Sequence, residues 1–365
     1  MVNKNKKGLW ILDPFLNYIK GYSGLEEATR DGMTGLYIEV DRIRNALFPL
    51  REKPVKDHPG YVTHEQDYFL ISHSDPGIKS DLEKYFLDEH HVFNRGLYGS
   101  GHNLGGLFEM ACYGILVNGR SFYKIDWEKV DVGENKYILP VDFRYLSTPT
   151  MKTRGGEENI KGYRQRYSLV SYLFESRFKQ YNGTKLQRKF EFDKDEILFF
   201  KYPFDNKSPV QRAVKYLPTI KKFWEFGLNQ SRSSVEVENH SLSIERTRYT
   251  TYKTEKRRYD LTKCKIRTIF NYLFDVDKDL RITEYYDVYT VTRYKRYLNN
   301  LRDYFVKEFN KQILSEVAKK NNFSTKPILK IDGLLTNAEI DKVFQRFIKR
   351  EIKLDDFIEG VVKRD

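Results

Sequence analysis

Cysteine is scarce in this sequence: Cys112 and Cys264 are the only two in 365 residues. Cys112 lies in an apolar run and Cys264 in a basic one. A disulfide framework is therefore implausible, and we expect a protein of a reducing, intracellular compartment. Long apolar runs are also missing, since no window approaches 18 apolar residues, so we expect no membrane-spanning helix. The basic segment 1–8 is followed by Asp13 and Pro14, a pattern unlike a signal peptide.

Sequence signatures of nucleotide and calcium binding fail at definable positions. The Gly-rich segment 99–105 precedes a helix, but its spacing is one residue too long for a dinucleotide fingerprint and no Walker lysine follows. We expect a flexible loop capped by Asn103. The segment 275–279 begins like a calcium loop, but Leu280 replaces the required glycine and Tyr286 the final glutamate. A solvated loop is the better interpretation there.

Catalytic and metal-ligating patterns are equally sparse. His90 and His91 are adjacent, so their side chains diverge on a helix or a strand, and the other five histidines lack ligand spacing. Neither cysteine lies in a nucleophile motif, and no Gly-x-Ser-x-Gly elbow occurs. The sequence therefore predicts no cofactor and no metal, and it disfavours an enzyme.

Positive charge and aromatic side chains are abundant. The chain has 64 Lys and Arg against 51 Asp and Glu, a formal net charge of +13. This excess suits a polyanionic partner, although a lysine-rich proteome would produce the same balance. With 27 Tyr and 25 Phe, aromatic rings should carry much of the burial.

Hydrophobic periodicity predicts an α+β fold. Apolar residues predict a buried helix over 110–117 ended by Asn118-Gly119, and short elements at 36–43 and 48–49. Ser208-Pro209 should begin another helix, kinked at Pro218. Period-two segments predict antiparallel strands at 121–127, 136–139, 141–145, 165–174, 186–192 and 196–202. Later segments predict helices at 265–274, 290–320 and 355–362, a strand at 327–331, and a capping box at Thr336–Glu339.

The best candidate site is a polar segment, 229–262, that contains neither glycine nor proline and alternates like an exposed hairpin. Within it, residues 246–259 interleave basic and aromatic side chains, which suits phosphate contacts and base stacking. The alternative is a solvated, charged hairpin surface. The candidate nucleic-acid-binding residues are Lys215, Lys221, Lys222, Arg246, Arg248, Lys253, Lys256, Arg257 and Arg258.

Several motifs occur in an order that resembles one protein family. The helix 107–117 leads into Asn118-Gly119-Arg120-Ser121-Phe122-Tyr123, and Leu139-Pro140-Val141-Asp142 follows. Asp195–Phe200, Ser208-Pro209-Val210 and the long 290–320 helix come next. This order, over roughly residues 100–365, is similar to that of tailed-bacteriophage portal proteins. Lys207 stands where that family has glycine, and Arg120 and Ser121 interrupt its Asn-Ala-Tyr pattern.

The resemblance implies a non-enzymatic ring, usually of twelve subunits, at one capsid vertex of the virion. Double-stranded DNA would pass through it during packaging and ejection, and the ring would dock terminase, a head–tail adaptor and the major capsid protein after assembly in the host cytoplasm. The implied subunit has a mixed wing sheet, long stem helices, a polar clip hairpin and a short helical crown. The implied domains are 1–100 (N-terminal wing), 101–205 (wing sheet), 206–230 (stem helix), 231–260 (clip hairpin), 261–280 (stem helix), 281–323 (long wing helix) and 324–365 (crown).

Two other functional hypotheses remain open at this point. One is a monomeric nucleic-acid-processing enzyme, such as a replication initiator with a tyrosine nucleophile. The other is a basic protein that binds RNA or single-stranded DNA.

Overall fold

The structure is a computed structural model, and it describes residues 23–48, 51–54, 62–65, 68–87, 103–155, 159–166, 189–214 and 284–361. Two compact units divide the chain. One comprises Met1–Arg42 and Pro209–Thr283, and the other comprises Ile43–Ser208 and Glu284–Asp365. Among the described residues, no helix combines the length and the apolarity needed to cross a bilayer.

The first long helix corrects the expectation of short elements near residue 40. Helix α1 is continuous over Ser23–Leu47. Its buried residues Leu36, Val40, Ile43 and Leu47 recur at a spacing of three to four and form one apolar face. Gly32 and Gly35 lower the helix propensity of the same segment, which is why the sequence pattern favoured shorter pieces.

A three-stranded antiparallel sheet forms the centre of the second unit. Strand β4 (Arg120–Val132) lies between β5 (Asn135–Leu146) and β9 (Ile197–Lys201). The sequence predicted two strands where β5 is one, because Pro140 interrupts the pattern. Pro140 pairs with Trp127 at a register shift that leaves Val141 as an extra residue, so a bulge accommodates the proline.

A second antiparallel sheet contains three short strands. β7 (Gly162–Arg166) lies between β6 (Met151–Arg154) and β8 (Lys189–Phe192). The structure begins β7 three residues before the predicted start at 165. Two further antiparallel pairs join β1 (Arg51–Pro54) to β2 (Val62–Glu65), and β3 (Phe69–Ser72) to β10 (Ile328–Ile331).

The helices of the second unit largely follow the sequence pattern. They are α2 (Pro76–Leu87), α3 (Leu104–Asn118), α4 (Glu284–Phe309), α5 (Ser315–Lys320), α6 (Asn337–Ile348) and α7 (Leu354–Val361). A π-helical turn, Asn310–Leu314, joins α4 to α5 within the predicted 290–320 helix. The predicted capping box is present, since the Thr336 hydroxyl accepts from the Glu339 N–H and the Glu339 carboxylate accepts from the Thr336 N–H.

Aromatic rings fill the core between α3 and α4, as the composition predicted. Phe108 of α3 is fully buried and stacks on Phe305 with centroids 5.7 Å apart. Phe309 meets the same ring edge-on at 5.7 Å, and Phe48 and Phe69 lie on its other sides at 5.8 Å each. Such offset and edge-on contacts add to the burial energy of each ring.

Candidate functional site

The sheet β6–β8 carries basic side chains on one face. Lys152 pairs with Arg164 across β6 and β7, and Arg166 pairs with Lys189 across β7 and β8. Because alternate residues of a strand point to the same side, all of these side chains share one face with Arg154. We call this surface the basic face: it comprises Lys152, Arg154, Arg164, Arg166 and Lys189, together with the acids Glu191 and Asp193.

The opposite side of the same sheet is apolar, and its burial fixes which way the basic face points. Met151, Tyr163 and Phe192 alternate with the cations and are all buried. They pack in one cluster with Phe122 and Ile197 of the neighbouring sheet. This burial raises the pKa of the Tyr163 phenol above its ordinary value. A one-residue slip would bury the cations, so the register is strongly specified.

Glu191 holds several of the cations in place. Its carboxylate accepts from Arg154 at 3.1 Å, and it lies 3.0 Å from Arg164 and 3.2 Å from Lys189. The hydrogen bond from Lys189 is the main cause that lowers the pKa of Glu191. The Arg154 side chain lies across Gly162, where an added Cβ would come within 2.5 Å of Nη2. The absence of a side chain at that position therefore lets the guanidinium lie flat on the sheet.

Four of the cations surround a surface groove of about 430 Å³, namely Lys152, Arg164, Arg166 and Lys189. Lys152 and Arg166 have no ion-pair partner among the described carboxylates. The groove can therefore accept an anion without first breaking an ion pair at either of these positions. Most of the exposed lining of the groove is apolar, but the cationic ends of these side chains suit phosphate or carboxylate groups, and none of its described lining residues is a catalytic acid, base or nucleophile.

A second feature is a junction at the end of α3. Gly119 adopts φ 74° and its N–H donates to the Ile115 carbonyl at 2.9 Å, which ends the helix as the Asn118-Gly119 motif predicted. The Gly119 carbonyl accepts from the Tyr202 N–H at 2.9 Å, just after β9. The buried Ser208 hydroxyl donates to the Val117 carbonyl at 2.9 Å. We call these contacts the α3 junction.

Three amide side chains after α4 hydrogen-bond to strand backbones. Gln312 accepts from the Phe199 N–H at 2.9 Å and donates to the Phe199 carbonyl at 2.8 Å. Asn321 accepts from the N–H of Ile138 in β5 at 2.7 Å and donates to its carbonyl at 3.0 Å. Asn310 accepts from the N–H of Leu329 in β10 at 2.7 Å and donates to its carbonyl at 2.9 Å. β5 and β9 are the outer strands of their sheet, so these amides satisfy edge groups that could otherwise pair with another chain.

The nine sequence-predicted nucleic-acid-binding residues all lie outside the described residues: Lys215, Lys221, Lys222, Arg246, Arg248, Lys253, Lys256, Arg257 and Arg258. The same holds for the kink at Pro218, the hairpin 229–262, the helix 265–274, the loop 275–279 and the pair His90-His91. The sequence pattern did not predict the basic face, because each of its strands alternates over only four or five residues. The alternation Arg164-Gln165-Arg166 was the available signal.

Among the described residues, no group of three His, Cys, Asp or Glu side chains could hold a metal ion. Cys112 is a free, fully buried thiol, and this burial raises its pKa above the ordinary value, which disfavours the reactive thiolate. Asn103 caps α3 as predicted, because its side chain accepts from the Gly106 N–H at 2.9 Å.

Comparison with known proteins gives similarity only at the level of whole structures. No family model and no curated protein matches the chain. The neck of an empty gene transfer agent particle, computed with C6 symmetry, is 15% identical with a TM-score of 0.47, and the neck of the native particle, computed with C12 symmetry, is 14% identical with a TM-score of 0.46. A chain of the native gene transfer agent virion is 13% identical with a TM-score of 0.45. Each match covers 91% of this chain and 90% of the other. Likeness of this degree carries no argument about fold or function.

Proposed function

We propose that this chain is the subunit of a bacteriophage portal ring, a conduit through which double-stranded DNA enters and leaves the capsid. The observation that carries the proposal is the α3 junction. Asn118-Gly119, the strand that follows Asp195, and Ser208-Pro209 are three separate motifs of the portal-like order. Hydrogen bonds from Tyr202 to Gly119 and from Ser208 to Val117 bring them together.

The α3 junction brings together segments that are far apart in the sequence. The Ser208–Val117 bond joins residues 91 apart, so motifs that are distant in the sequence and carry the portal resemblance lie together in the fold, which supports the proposal. The contact fixes where the chain leaves the sheet and begins the helix at Pro209. In the proposed subunit, that helix is the first stem helix, and the segment 231–260 is the clip.

The proposed ring accounts for the composition without invoking chemistry on DNA. Head-to-tail contacts between identical subunits close into a ring when the rotation between neighbours closes. DNA that must slide requires contacts to phosphates and none that read bases. We propose twelve subunits at one capsid vertex, with terminase, a head–tail adaptor and the major capsid protein as partners.

Removing the proposed clip tests this arrangement. Deleting residues 231–258 and joining the ends with a short Gly-Ser linker should leave a folded subunit that no longer forms rings, because the polar segment has little core of its own. Circular dichroism and urea unfolding report the fold, and light scattering reports the mass beside the full-length protein. Global unfolding of the variant would show that the segment belongs to the core. Rings of the variant would show that it plays no part in assembly.

A further inference from the structure

We propose that the basic face of the β6–β8 sheet binds the phosphate backbone of double-stranded DNA. The identity of the polyanion rests on the proposed function, whereas the binding surface rests on the structure alone. The surface is separate from the segment 246–259 that the sequence singled out. It therefore adds a DNA contact on the sheet to any contact made by the stem or clip.

Its charge is strongly one-sided for so small an area. Five cations and two carboxylates give the basic face a formal net charge of +3. Lys152, Arg164, Arg166 and Lys189 are all exposed, and four of the five cations line the same groove. Lysine and arginine that neutralise phosphates release counterions from DNA, which drives binding without regard to base sequence.

Two cross-strand pairs on the face place like charges opposite each other. Lys152 lies directly opposite Arg164, and Arg166 lies directly opposite Lys189. Like charges placed directly opposite each other on neighbouring strands destabilise a sheet. Glu191 offsets the charge of one member of each pair, Arg164 and Lys189. Lys152 and Arg166 remain without a carboxylate among the described residues, so a bound polyanion would neutralise these two cations.

The chemistry of the face suits a backbone contact and not a base contact. Alternate positions of the described strands place no aromatic or amide side chain there, since Phe190, Phe192 and Gln165 all belong to the opposite register. Adenine readout uses amides, and single-strand binding uses aromatic stacking. The face carries neither group on the described strands, and its lysines and arginines can contact phosphates without reading the base sequence.

Three substitutions on the face, made together, test the proposal in the full-length protein. The variant Lys152→Gln, Arg166→Gln, Lys189→Gln retains the ion pairs from Arg154 and Arg164 to Glu191. The control Lys307→Gln, Lys342→Gln, Lys349→Gln removes the same net charge from exposed positions outside the sheet. Binding of a short labelled duplex is measured over a series of salt concentrations, and ring mass is measured for every protein.

The triple variant should bind the duplex more weakly, and its slope of log K against log salt should fall by roughly 2.7, because each phosphate contact contributes about 0.9. The control should retain the wild-type slope. The thermal midpoint of the triple variant should change little, because the loss of the Lys189–Glu191 ion pair offsets the removal of two exposed like-charge pairs.

Equal slopes for the triple variant and the control would show an effect of net charge alone and overturn the proposal. Loss of binding to polyglutamate with unchanged binding to the duplex would assign the face to an acidic protein and also overturn it. If the wild-type protein is a monomer and its DNA binding depends on the basic face, the proposed ring is contradicted and the proposed DNA contact stands. If the protein forms a ring and substitutions on the basic face leave its DNA binding unchanged, the ring stands and the proposed DNA contact is overturned.

Discussion

Arg302 lies inside the second unit, where a cation requires strong compensation. Its side chain is 2% exposed, and its guanidinium donates to the carbonyls of Leu47 at 2.6 Å and Ala46 at 3.0 Å. These carbonyls belong to the last turn of α1, where backbone acceptors lack helical partners and the helix dipole is negative. A third donor bonds to Asn299 at 2.7 Å. Arg302 therefore fixes the end of α1 against α4.

Replacing Arg302 with glutamine should lower the free energy of unfolding by about 3 kcal/mol, since one buried carbonyl and one partly buried carbonyl lose their donors. Arg302→Lys should recover little of this loss, because an ammonium cannot reproduce the planar fork. The exposed Arg296, which pairs with Asp341 at 3.5 Å, provides the control, and Arg296→Gln should cost less than about 1 kcal/mol. Urea unfolding measures all three variants. Equal losses at 302 and 296 would contradict the assigned role.

Asp195 provides a pH-dependent test at the residue scale. Lys320 donates to its carboxylate at 3.0 Å and lies 5.0 Å from the centre of the Trp127 ring, and this hydrogen bond lowers the pKa of Asp195. An acid with a lowered folded pKa stabilises the fold above its unfolded pKa and loses that contribution as the pH falls through the folded pKa.

Wild type should therefore exceed Asp195→Asn in stability at neutral pH, by less than about 1 kcal/mol because the side chain is partly exposed. The difference should disappear at acid pH, below both pKa values. Urea unfolding at the two pH values measures it. A difference that grows towards acid pH would show that another group dominates.

At the scale of elements, the π-helical turn between α4 and α5 places its amides against the sheets. Gln312 and Asn310 lie in this turn, two residues apart, and bond to different strands, β9 and β10. One amide satisfies both the N–H and the carbonyl of a strand residue, as a neighbouring strand would. The turn thus fastens the long helix to two sheets and closes part of each edge.

Gln312→Ala should destabilise the fold by about 1–2 kcal/mol, because Phe199 loses partners for both backbone groups. Its local signature is faster hydrogen exchange at the Phe199 amide. Lys311→Ala, at an exposed neighbouring position, should leave that exchange rate unchanged. Unchanged exchange in Gln312→Ala would show that the amide does not protect the strand.

The sequence predicted helices and strands correctly where one hydrophobic periodicity continues over several turns or residues. The stripe Leu298, Leu301, Phe305 and Phe309 predicted the long helix, and the structure buries all four. Prediction failed where local and tertiary signals conflict. Gly32 and Gly35 weaken the local helix signal in α1, although the structure forms one continuous helix there. Pro140 weakens the local strand signal in β5, but a bulge opposite β4 accommodates it. The π-helical turn leaves no periodic signal in the sequence, because its amides form hydrogen bonds to strands that the local sequence does not specify.

The candidate site was also predictable only in part from the sequence. The Asn118-Gly119 turn and Ser208 were readable from the sequence, but their meeting at the α3 junction depends on a contact between residues 91 apart. The basic face depends on the pairing of three short strands, and only the register of β6–β8 places its cations together.

At the scale of the whole molecule, the proposed portal function requires a closed ring of copies, because a single subunit cannot enclose a duplex. The competing hypotheses, an initiator enzyme and a single-strand-binding protein, both act as monomers. Oligomeric state therefore separates the three more sharply than DNA affinity does.

The most direct test is the mass of the full-length protein by size exclusion with light scattering, together with negative-stain images. The proposed portal function predicts rings with a central channel and a mass near twelve subunits of 43.6 kDa, roughly half a megadalton. A strictly monomeric protein that nicks DNA when metal is added would contradict the central claim and favour the initiator. A monomer that binds single strands tightly, with strong salt dependence, would contradict it in favour of a nucleic-acid-binding protein.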